Sequence, residues 1–341
     1  MKTAKSELYA DPFAERTAFR MHRDIHVLGT WVRFESNSGQ LLRLVDSAYA
    51  GLPRHRLSGT VPRLRVRLIL APAGRKRASE PAALRMMSGP GLLAGAAESS
   101  NFVVISPQER GALVVVSPRM LRSAYHTRYE LIEFAVFTLA SRVQGLVPLH
   151  GACVGLAGRG VLLLGPSGAG KSTLTLQCLI EGLEILSEDS VFVAPNTLLA
   201  TGVSNFLHVR ADSLRWIEAA RSVASIRKSP VIRRRTGVRK YEIDLRRGKY
   251  VLAQRPLKIE AVVFLCAQSA AEGALLKRLS QAHALPMLIR EQAYAANLPP
   301  WKVFARSVTR LPFFELRRGR HPSESVAALR DIIGPPSRAI R

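Results

Sequence analysis

The sequence predicts an α/β domain over residues 146–341, preceded by a small mixed α+β domain over residues 1–125. From Val147 onward, short apolar runs alternate with helical patterns, and this order is typical of an α/β domain. Before residue 125, one helical pattern and several strand patterns indicate mixed α+β structure. A helical stretch at about residues 118–145, begun by Ser117 and Pro118 and ended by Gly145, is expected to bridge the two domains.

The N-terminal domain is predicted from local patterns. Ser36–Ser38 can begin a helix that Gly51 ends. Arg63–Leu68 alternates polar and apolar residues, which predicts a half-buried strand with arginines on its exposed face. Phe102–Ile105 and Leu113–Val116 predict two strands joined by a turn. We find no catalytic pattern before residue 146, so a scaffold and a substrate-docking role both stay open for this domain.

The C-terminal domain is predicted to contain strands and helices in alternation, with a glycine-rich turn inside it. The predicted elements are a strand Pro148–Leu156, a strand Val161–Leu164, a helix through Leu183, a strand pattern Glu184–Ala194, a helix from Ala211 to about Arg221, strands Ile259–Cys266 and Leu311–Leu316, and a helix Ser323–Ile333.

The composition is strongly basic, with 50 Lys and Arg against 25 Asp and Glu and a formal net charge of +25. Such an excess favours acidic partners such as nucleotides, nucleic acid, acidic peptides or anionic membranes, although a solvated basic surface is the alternative. The three cysteines show no metal-ligand spacing. Residues 1–17 lack the apolar core of a signal peptide, and no apolar run reaches membrane-spanning length. A cytoplasmic protein without a membrane partner is expected.

A glycine-rich loop follows the predicted buried strand, where residues 165–172 read Gly-Pro-Ser-Gly-Ala-Gly-Lys-Ser. This is the P-loop pattern, in which backbone N–H groups at a helix N-terminus hold the α and β phosphates of a nucleotide. We expect Lys171 to reach the β and γ phosphates and Ser172 to offer its hydroxyl to Mg²⁺. ATP and Mg²⁺ are therefore the expected cofactors. The predicted binding residues are Gly165, Pro166, Ser167, Gly168, Ala169, Gly170, Lys171, Ser172 and Thr173.

An acidic pair, Glu188 and Asp189, comes soon after the P-loop helix. Many P-loop enzymes place an Asp at the end of a later strand, but the strand Ile259–Cys266 is followed by Ala267. If the chain returns beside the phosphates, one carboxylate can orient Mg²⁺ and the other can accept the proton of an attacking hydroxyl. A solvated turn is the alternative. His150 is a further candidate if its strand lies next to the P-loop strand; a structural histidine is the alternative.

These residues together resemble the catalytic core of HPr kinase/phosphorylase. The resemblance is carried by Leu149–Gly151, residues 160–172 and Glu188–Asp189, and covers about residues 147–194. It is closer to HPr-kinase-related proteins of peptide-modification gene clusters, including lasso-peptide tailoring kinases. The resemblance implies a nucleotide domain related to phosphoenolpyruvate carboxykinase and ATP-dependent phosphorylation of a serine hydroxyl on a protein or peptide.

The resemblance also assigns roles to individual residues. It implies that Asp189 is the general base, that His150 lies near the transferred phosphate, and that Lys171 binds the β and γ phosphates. Ser172 would ligate Mg²⁺, with Glu188 as the second candidate ligand. Hexamers are known in that family, so a homo-oligomer is an expectation from resemblance alone.

The chain departs from the family pattern at three places. Glu188 stands where the family usually has an aspartate, and Thr173 stands where it commonly has an acid. No Glu-Ile-Arg-Gly-Leu-Gly element occurs around Val203–Ala211, although this element contributes to the phosphorylase reaction. The resemblance therefore does not extend to dephosphorylation or to HPr as the substrate.

A basic segment spans residues 227–249, opposed only by Glu242 and Asp244. It is expected to close over ATP, to dock an acidic substrate, or to be solvated, and Arg239 or Lys240 is the best candidate for a phosphate contact. Tyr241 is its one aromatic residue, so no stacking platform for nucleic acid is evident. Its cations are Arg227, Lys228, Arg233, Arg234, Arg235, Arg239, Lys240, Arg246, Arg247 and Lys249.

Three alternative functions stay open beside a protein or peptide serine kinase. The first is a kinase for a small hydroxylated molecule. The second is an ATP-binding regulatory or assembly protein without transfer activity, and the third is a basic nucleic-acid-dependent ATPase. The absence of transporter and guanine-reading motifs argues against a transporter ATPase and a GTPase.

Overall fold

The computed structural model describes residues 18–57, 59, 62–72, 82–98, 100–217, 220–270 and 273–334. The chain forms two compact units. The first comprises Met1–Ile25, Val32–Ala48 and Arg63–Leu139, and the second His26–Trp31, Tyr49–Pro62 and Ala140–Arg341. The division falls inside the predicted bridging stretch, and the domain limits at 125 and 146 stay predictions. Residues 1–17, where no signal peptide is expected, lie outside the described residues.

A seven-stranded sheet of order β1-β2-β3-β7-β6-β5-β4 dominates the first unit. Strand β3 shows the predicted alternation, because Leu64, Val66 and Leu68 are buried between exposed arginines. The predicted hairpin is also confirmed, since β6 and β7 pair antiparallel. The elements are β1 Met21–Val27, β2 Thr30–Ser36, α1 Gly39–Tyr49, β3 Arg63–Leu70, β4 Arg85–Gly89, β5 Leu92–Glu98, β6 Asn101–Ser106 and β7 Gly111–Val116.

The predicted helix at residues 118–145 begins as expected, because the Ser117 side chain caps it by accepting a hydrogen bond from the Met120 N–H. It is not one continuous helix. The Thr127 hydroxyl donates a 2.6 Å hydrogen bond to the Met120 carbonyl and so satisfies the end of the first turn. The segment consists of α2 Pro118–Leu121, α3 Ala124–His126, a π-helical stretch Thr127–Glu133, and α4 Phe134–Gln144.

The second unit is built on a nine-stranded sheet. Seven strands run in the order β11-β9-β10-β17-β13-β12-β8, while β19 pairs parallel with β17 and antiparallel with β18. A separate three-stranded sheet has the order β14-β16-β15. The strands are β8 Val147–His150, β9 Ala152–Leu156, β10 Arg159–Leu164, β11 Glu184–Ser187, β12 Ser190–Val193, β13 Leu199–Gly202, β14 Phe206–Val209, β15 Val231–Arg233, β16 Arg239–Asp244, β17 Leu257–Ser269, β18 Leu276–Leu279 and β19 Phe313–Arg318.

Helices cover both faces of the large sheet. Strand β10 is buried on both sides, as its apolar sequence predicts. Val161 and Leu163 share one core with helices α5 and α10, and Leu162 and Leu164 share another with α7 and α9. The helices are α5 Lys171–Ile180, α6 Ala220–Arg227, α7 Gln281–Glu291, α8 Ala293–Ala296, α9 Trp301–Val308 and α10 Pro322–Ile333, with 3₁₀ turns at Ala211–Trp216 and Leu245–Arg247. The mixed α/β architecture predicted for this region is confirmed.

Two predicted elements are corrected. The predicted strand Pro148–Leu156 is two strands, because the chain turns at Gly151 and leads β8 and β9 to different places in the sheet. A Cβ at Gly151 would lie 2.6 Å from the Leu163 carbonyl oxygen, so the turn needs glycine. The predicted helix at Ala211 is a 3₁₀ turn that ends at Trp216, and α6 begins only at Ala220.

Among the described residues, none of the helices has the length and apolar character needed to cross a membrane.

Candidate active site

The glycine-rich loop lies between β10 and α5, as the motif predicts. Gly165, Gly168 and Gly170 have φ angles of 141°, 85° and 105°, a region that favours glycine. Gly165 also passes close to β17, since a Cβ there would lie 2.9 Å from the Leu265 carbonyl oxygen. Pro166, Ser167 and Gly168 are exposed, whereas Ala169 is buried in the core under α5. The loop therefore offers its open side at the N-terminus of α5, where backbone N–H groups favour an anion.

The side chain of Lys171 folds back over this loop. Its ammonium group donates hydrogen bonds to the carbonyl oxygens of Gly165 and of Pro166, the latter at 3.2 Å. Burial lowers the pKa of Lys171, while the charges of Asp189, Glu291 and Glu188 act in the opposite direction. The ammonium group thus lies in the mouth of the loop with carbonyl oxygens as its hydrogen-bond acceptors, and phosphate oxygens can replace these acceptors.

Glu188 lies directly beside the start of α5. The Ser172 hydroxyl donates a short hydrogen bond to Glu188 Oε1. The Glu188 residue is only 6% exposed, and its Oε2 atom has no hydrogen-bond partner among the described residues. Burial raises the pKa of Glu188, and the neighbouring Asp189 raises it further, whereas His208 and the Ser172 hydrogen bond lower it. A cation at this position would offset the cost of burying the carboxylate.

The Ser172–Glu188 pair fits the Mg²⁺ ion that the P-loop implies. Both residues offer oxygen atoms, which Mg²⁺ prefers, and Glu188 Oε2 is a buried oxygen without a hydrogen bond among the described residues. Mg²⁺ in phosphoryl-transfer sites is usually held by one or two protein oxygens together with substrate phosphates and water. Two protein oxygens at the N-terminus of α5 therefore suffice for this chemistry.

Asp189 and His150 lie next to each other because β8 and β12 are neighbouring antiparallel strands. The His150 Nδ1 atom is 3.1 Å from the Asp189 carbonyl oxygen and 3.5 Å from its carboxylate oxygen Oδ1. Since a carbonyl oxygen only accepts hydrogen bonds, Nδ1 carries the proton in this arrangement. The imidazole is 60% exposed, so its Nε2 edge is accessible to a ligand.

The backbone of His150 is held by Gln292, which sequence reasoning did not identify. The Gln292 side chain accepts a 2.8 Å hydrogen bond from the His150 N–H and donates a 2.9 Å hydrogen bond to its carbonyl oxygen. The condition that the strand of His150 lies next to the P-loop strand is not met. Strand β8 lies at the far end of the seven-strand path, and His150 reaches Asp189 through β12 instead.

Thr173 and the end of strand β17 do not contribute a carboxylate to the site. The Thr173 hydroxyl lies 2.8 Å from the Ser213 hydroxyl, so it is engaged with the 3₁₀ turn. Strand β17 is the parallel neighbour of β10, and it carries Ala267 where many P-loop enzymes have an acid. The carboxylate beside Ser172 therefore comes from the turn between β11 and β12, at Glu188.

Two residues of the basic segment, Arg234 and Lys240, lie near the carboxylates of Glu188 and Asp189. The Arg234 guanidinium lies 3.7 Å from Asp189 Oδ2. Lys240 is half-buried; burial lowers its pKa, as does Arg234, while Glu188 and Asp189 raise it. Arg239 is exposed. Of the two phosphate-contact candidates, Lys240 is the one near the acidic pair.

His208 and Glu242 form a buried pair that sequence reasoning missed. Their strands β14 and β16 bring them directly opposite, and His208 Nε2 is 3.1 Å from Glu242 Oε1. On its other side, His208 Nδ1 is 3.9 Å from Glu188 Oε2. His208 therefore links Glu242 to Glu188. Local sequence carries only the strand patterns of β14 and β16, whereas the register that joins these residues is a long-range property.

No family model matches the chain. It is 30% identical over 100 residues to the HPr kinase/phosphorylase of Chlorobium phaeobacteroides (strain BS1), which covers 28% of this chain and 30% of that protein. It is 28% identical over 138 residues to the HPr kinase/phosphorylase of Geobacter sulfurreducens, which covers 39% and 41%. The HPr kinase/phosphorylase of Prosthecochloris aestuarii (strain DSM 271 / SK 413) is 31% identical over 116 residues, with 32% and 33% covered.

The chain thus matches between 30% and 41% of the length of these relatives. The solved HPr(Ser) kinase/phosphatase of Coxiella burnetii aligns with 54% of this chain and 94% of that chain, at 12% identity and a TM-score of 0.29, a score that does not establish a shared fold. The chain is HPr kinase-like over the part of its length that these three relatives match.

Proposed function

We propose that this chain is an ATP-dependent kinase that transfers the γ-phosphate of Mg-ATP to a serine hydroxyl of a protein or peptide. The observation that carries the proposal is the contact between Ser172 in the P-loop and Glu188, with Asp189 as its neighbour. This contact supports the proposal, because the candidate metal ligand Glu188 lies beside the P-loop and the candidate base Asp189 follows it in the chain. A P-loop used only for nucleotide binding would not need the second carboxylate.

Nucleotide binding is assigned to the loop and its lysine. The backbone N–H groups of the loop, which Pro166 lacks, would surround the α and β phosphates, and Lys171 would exchange its carbonyl acceptors for β and γ phosphate oxygens. A bound Mg²⁺ would withdraw charge from the β and γ phosphates. Ser172 and Glu188 are the residues that would hold it.

Transfer itself is assigned to Asp189. The oxygen of the acceptor serine attacks the γ-phosphorus in line with the bond to the bridging oxygen of ADP, and that bond breaks as the new one forms. The proton of the serine hydroxyl passes to the Asp189 carboxylate, and ADP leaves with the bridging oxygen. His150, with its exposed Nε2 edge, orients the acceptor or a γ-phosphate oxygen.

Arg234 and Lys240 supply positive charge next to this reaction. The transferring phosphoryl group carries negative charge on its outer oxygens, and fixed cations stabilise it more than they stabilise the ground state. Arg234 lies 3.7 Å from Asp189 Oδ2, so a γ-phosphate bound here would compete with Asp189 for the guanidinium. We infer that ATP binding frees the Asp189 carboxylate to act as a base.

The proposal extends to the context of the reaction. We expect a nucleotide domain of the HPr kinase and phosphoenolpyruvate carboxykinase type over residues 146–341, after a separate N-terminal domain. We also expect a cytoplasmic location and a homo-oligomer. The similarity to proteins named HPr kinase/phosphorylase supports kinase-type chemistry and a protein acceptor.

The test is a phosphorylation assay with purified protein, Mg-ATP, HPr and a panel of serine-containing peptides, with products read by mass spectrometry. We expect a mass increase on a serine of at least one peptide and none with Lys171→Ala. A panel of hydroxylated metabolites is run in parallel. Transfer only to a metabolite would replace the peptide substrate by a small molecule, and ATP binding without transfer to any acceptor would indicate a regulatory protein.

A further inference from the structure

The hairpin of β15 and β16 has two faces with different surroundings. In its register Ile232 lies opposite Lys240, and Arg233 lies opposite Arg239. Because side chains alternate along a strand, Ile232 and Lys240 share one face, while Arg233 and Arg239 share the other. Lys240 is half-buried near the acidic pair, whereas both arginines are exposed. The arginine pair is therefore on the side of the hairpin away from Lys240.

Two arginines directly opposite on neighbouring strands repel each other. Side chains at such positions have Cβ atoms about 4.5–5.5 Å apart, and like charges there destabilise the sheet. The side chains of Arg233 and Arg239 have no hydrogen-bond or ion-pair partner among the described residues, although their backbones pair in the sheet. The acids of β16 are engaged elsewhere: Glu242 accepts from His208, and Asp244 accepts from Arg246. An anion from a bound partner would reduce the repulsion between these two arginines.

The residues around the arginine pair favour a peptide as the source of this anion. Val231 shares the face of the two arginines and is 48% exposed, so an apolar side chain adjoins the charges. Arg227 and Lys228, just before β15, are also exposed. A surface of positive charge with an apolar neighbour matches an acidic segment that also carries apolar side chains. Mononucleotides and free phosphate do not use the apolar part.

We propose that the face formed by Val231, Arg233 and Arg239 docks an acidic stretch of the peptide or protein that this site phosphorylates. The inference rests on the proposed kinase function. Arginine binds carboxylates through paired hydrogen bonds, which gives orientation as well as attraction. Arg234 follows Arg233 directly and lies 3.7 Å from Asp189 Oδ2. An acidic segment held on this face therefore keeps its flanking serine near the candidate base.

The test measures binding of a fluorescein-labelled peptide of alternating glutamate and valine around one serine, by fluorescence polarisation without nucleotide. The full chain is compared with the double variant Arg233→Gln/Arg239→Gln. The control double variant is Lys277→Gln/Arg278→Gln, which removes the same charge from two exposed positions on β18. We expect about a tenfold loss of affinity in the first variant and less than about a twofold loss in the control.

Charge reversal makes the test independent of general destabilisation. Arg233→Glu/Arg239→Glu should bind the same peptide with lysine in place of glutamate and should lose the glutamate peptide. Equal losses in the arginine variant and the β18 control would overturn the inference, because only overall charge would then matter. Tighter binding of a thymidine oligonucleotide through the same two arginines would also overturn it, in favour of nucleic acid.

The docking and kinase proposals fail in distinguishable ways, because peptide binding is measured without ATP. If phosphoryl transfer proceeds but the arginine pair does not affect peptide binding, the docking inference alone is overturned. If the glutamate peptide binds through the arginine pair but no serine is ever phosphorylated, the kinase proposal is overturned. The arginine pair is then a peptide-binding surface that does not serve phosphorylation. Circular dichroism melting of each variant verifies that the chain is folded during the measurement.

Discussion

The Ser172 hydroxyl donates a hydrogen bond to the carboxylate of Glu188, which joins the first turn of the P-loop helix to the turn between β11 and β12. The next residue, Asp189, lies beside His150 through the pairing of β8 and β12. The glycine-rich loop, a candidate metal ligand and a candidate base thus lie at the ends of strands of the same sheet. Mg²⁺ binding and phosphoryl transfer can therefore be tested separately, because different residues are expected to carry them.

Glu188→Gln should weaken Mg²⁺ binding in the presence of ATP by about tenfold or more, because an amide replaces a charged metal ligand. Isothermal titration with Mg²⁺ against the protein–ATP complex measures this loss. Glu184→Gln, at the start of β11, is the control and should bind Mg²⁺ as the wild-type chain does. Unchanged Mg²⁺ affinity in Glu188→Gln would remove this residue from the metal site.

Asp189→Asn should reduce phosphoryl transfer by about 10²- to 10⁴-fold, the range typical for loss of a general base. ATP binding should persist, because the loop and Lys171 supply the phosphate contacts. Single-turnover transfer and ATP affinity are measured on the same preparation. Full transfer activity in the Asn variant would show that another group accepts the proton.

His208 and Glu242 should act through Glu188 as positioning residues. Outer-shell partners of a metal ligand typically affect metal affinity by 10- to 100-fold. We therefore expect Glu242→Ala to weaken Mg²⁺ binding within about this range and to raise the Mg²⁺ concentration needed for transfer, while ATP affinity measured without metal changes little. Glu242→Gln, which keeps a hydrogen-bond acceptor for His208, should restore much of the Mg²⁺ affinity. A purely structural role would lower the melting temperature without this split between metal and nucleotide affinity.

The stability of the second unit should decrease at acid pH through His55. This buried imidazole contacts the Thr201 hydroxyl and the Ala253 carbonyl, each at 2.8 Å. Burial lowers the pKa of His55 below its ordinary value of 6.5, although the hydrogen bond to Ala253 acts in the opposite direction. The unfolded chain then binds the proton more readily than the folded chain. The free energy of unfolding therefore falls as the pH decreases below about 6.5 and is unaffected by His55 well above it.

Urea unfolding between pH 5 and pH 8 measures this dependence, with His55→Gln expected to have a flatter profile in this range. The exposed His283→Gln serves as the control and should keep the wild-type slope. An NMR titration of the His55 ring gives the same information if the variant is too unstable. A pKa at or above 6.5 in the folded chain would contradict the prediction.

The sequence predicts a strand or helix correctly where the residues within that element carry the whole signal. The alternation in Arg63–Leu68, the apolar run of β10 and the cap at Ser117 each predict an element that the structure contains. The prediction of one strand over Pro148–Leu156 was wrong, because continuous apolar sequence does not reveal that the chain turns at Gly151. The contact of Gly151 with the Leu163 carbonyl belongs to the packed sheet and leaves no local signal.

The glycine-rich loop could be predicted from sequence alone, since its glycines, lysine and serine lie within one short stretch between a strand and a helix. The sequence also supplied the candidates Glu188, Asp189 and His150. Three contacts could not be predicted from the sequence. They are the hydrogen bond of Ser172 to Glu188, the approach of His150 to Asp189 through β12, and the contact of His208 with both Glu242 and Glu188. The physical reason is that strand order and register are set by packing between distant segments, and a shift of one residue would turn these side chains to the opposite face.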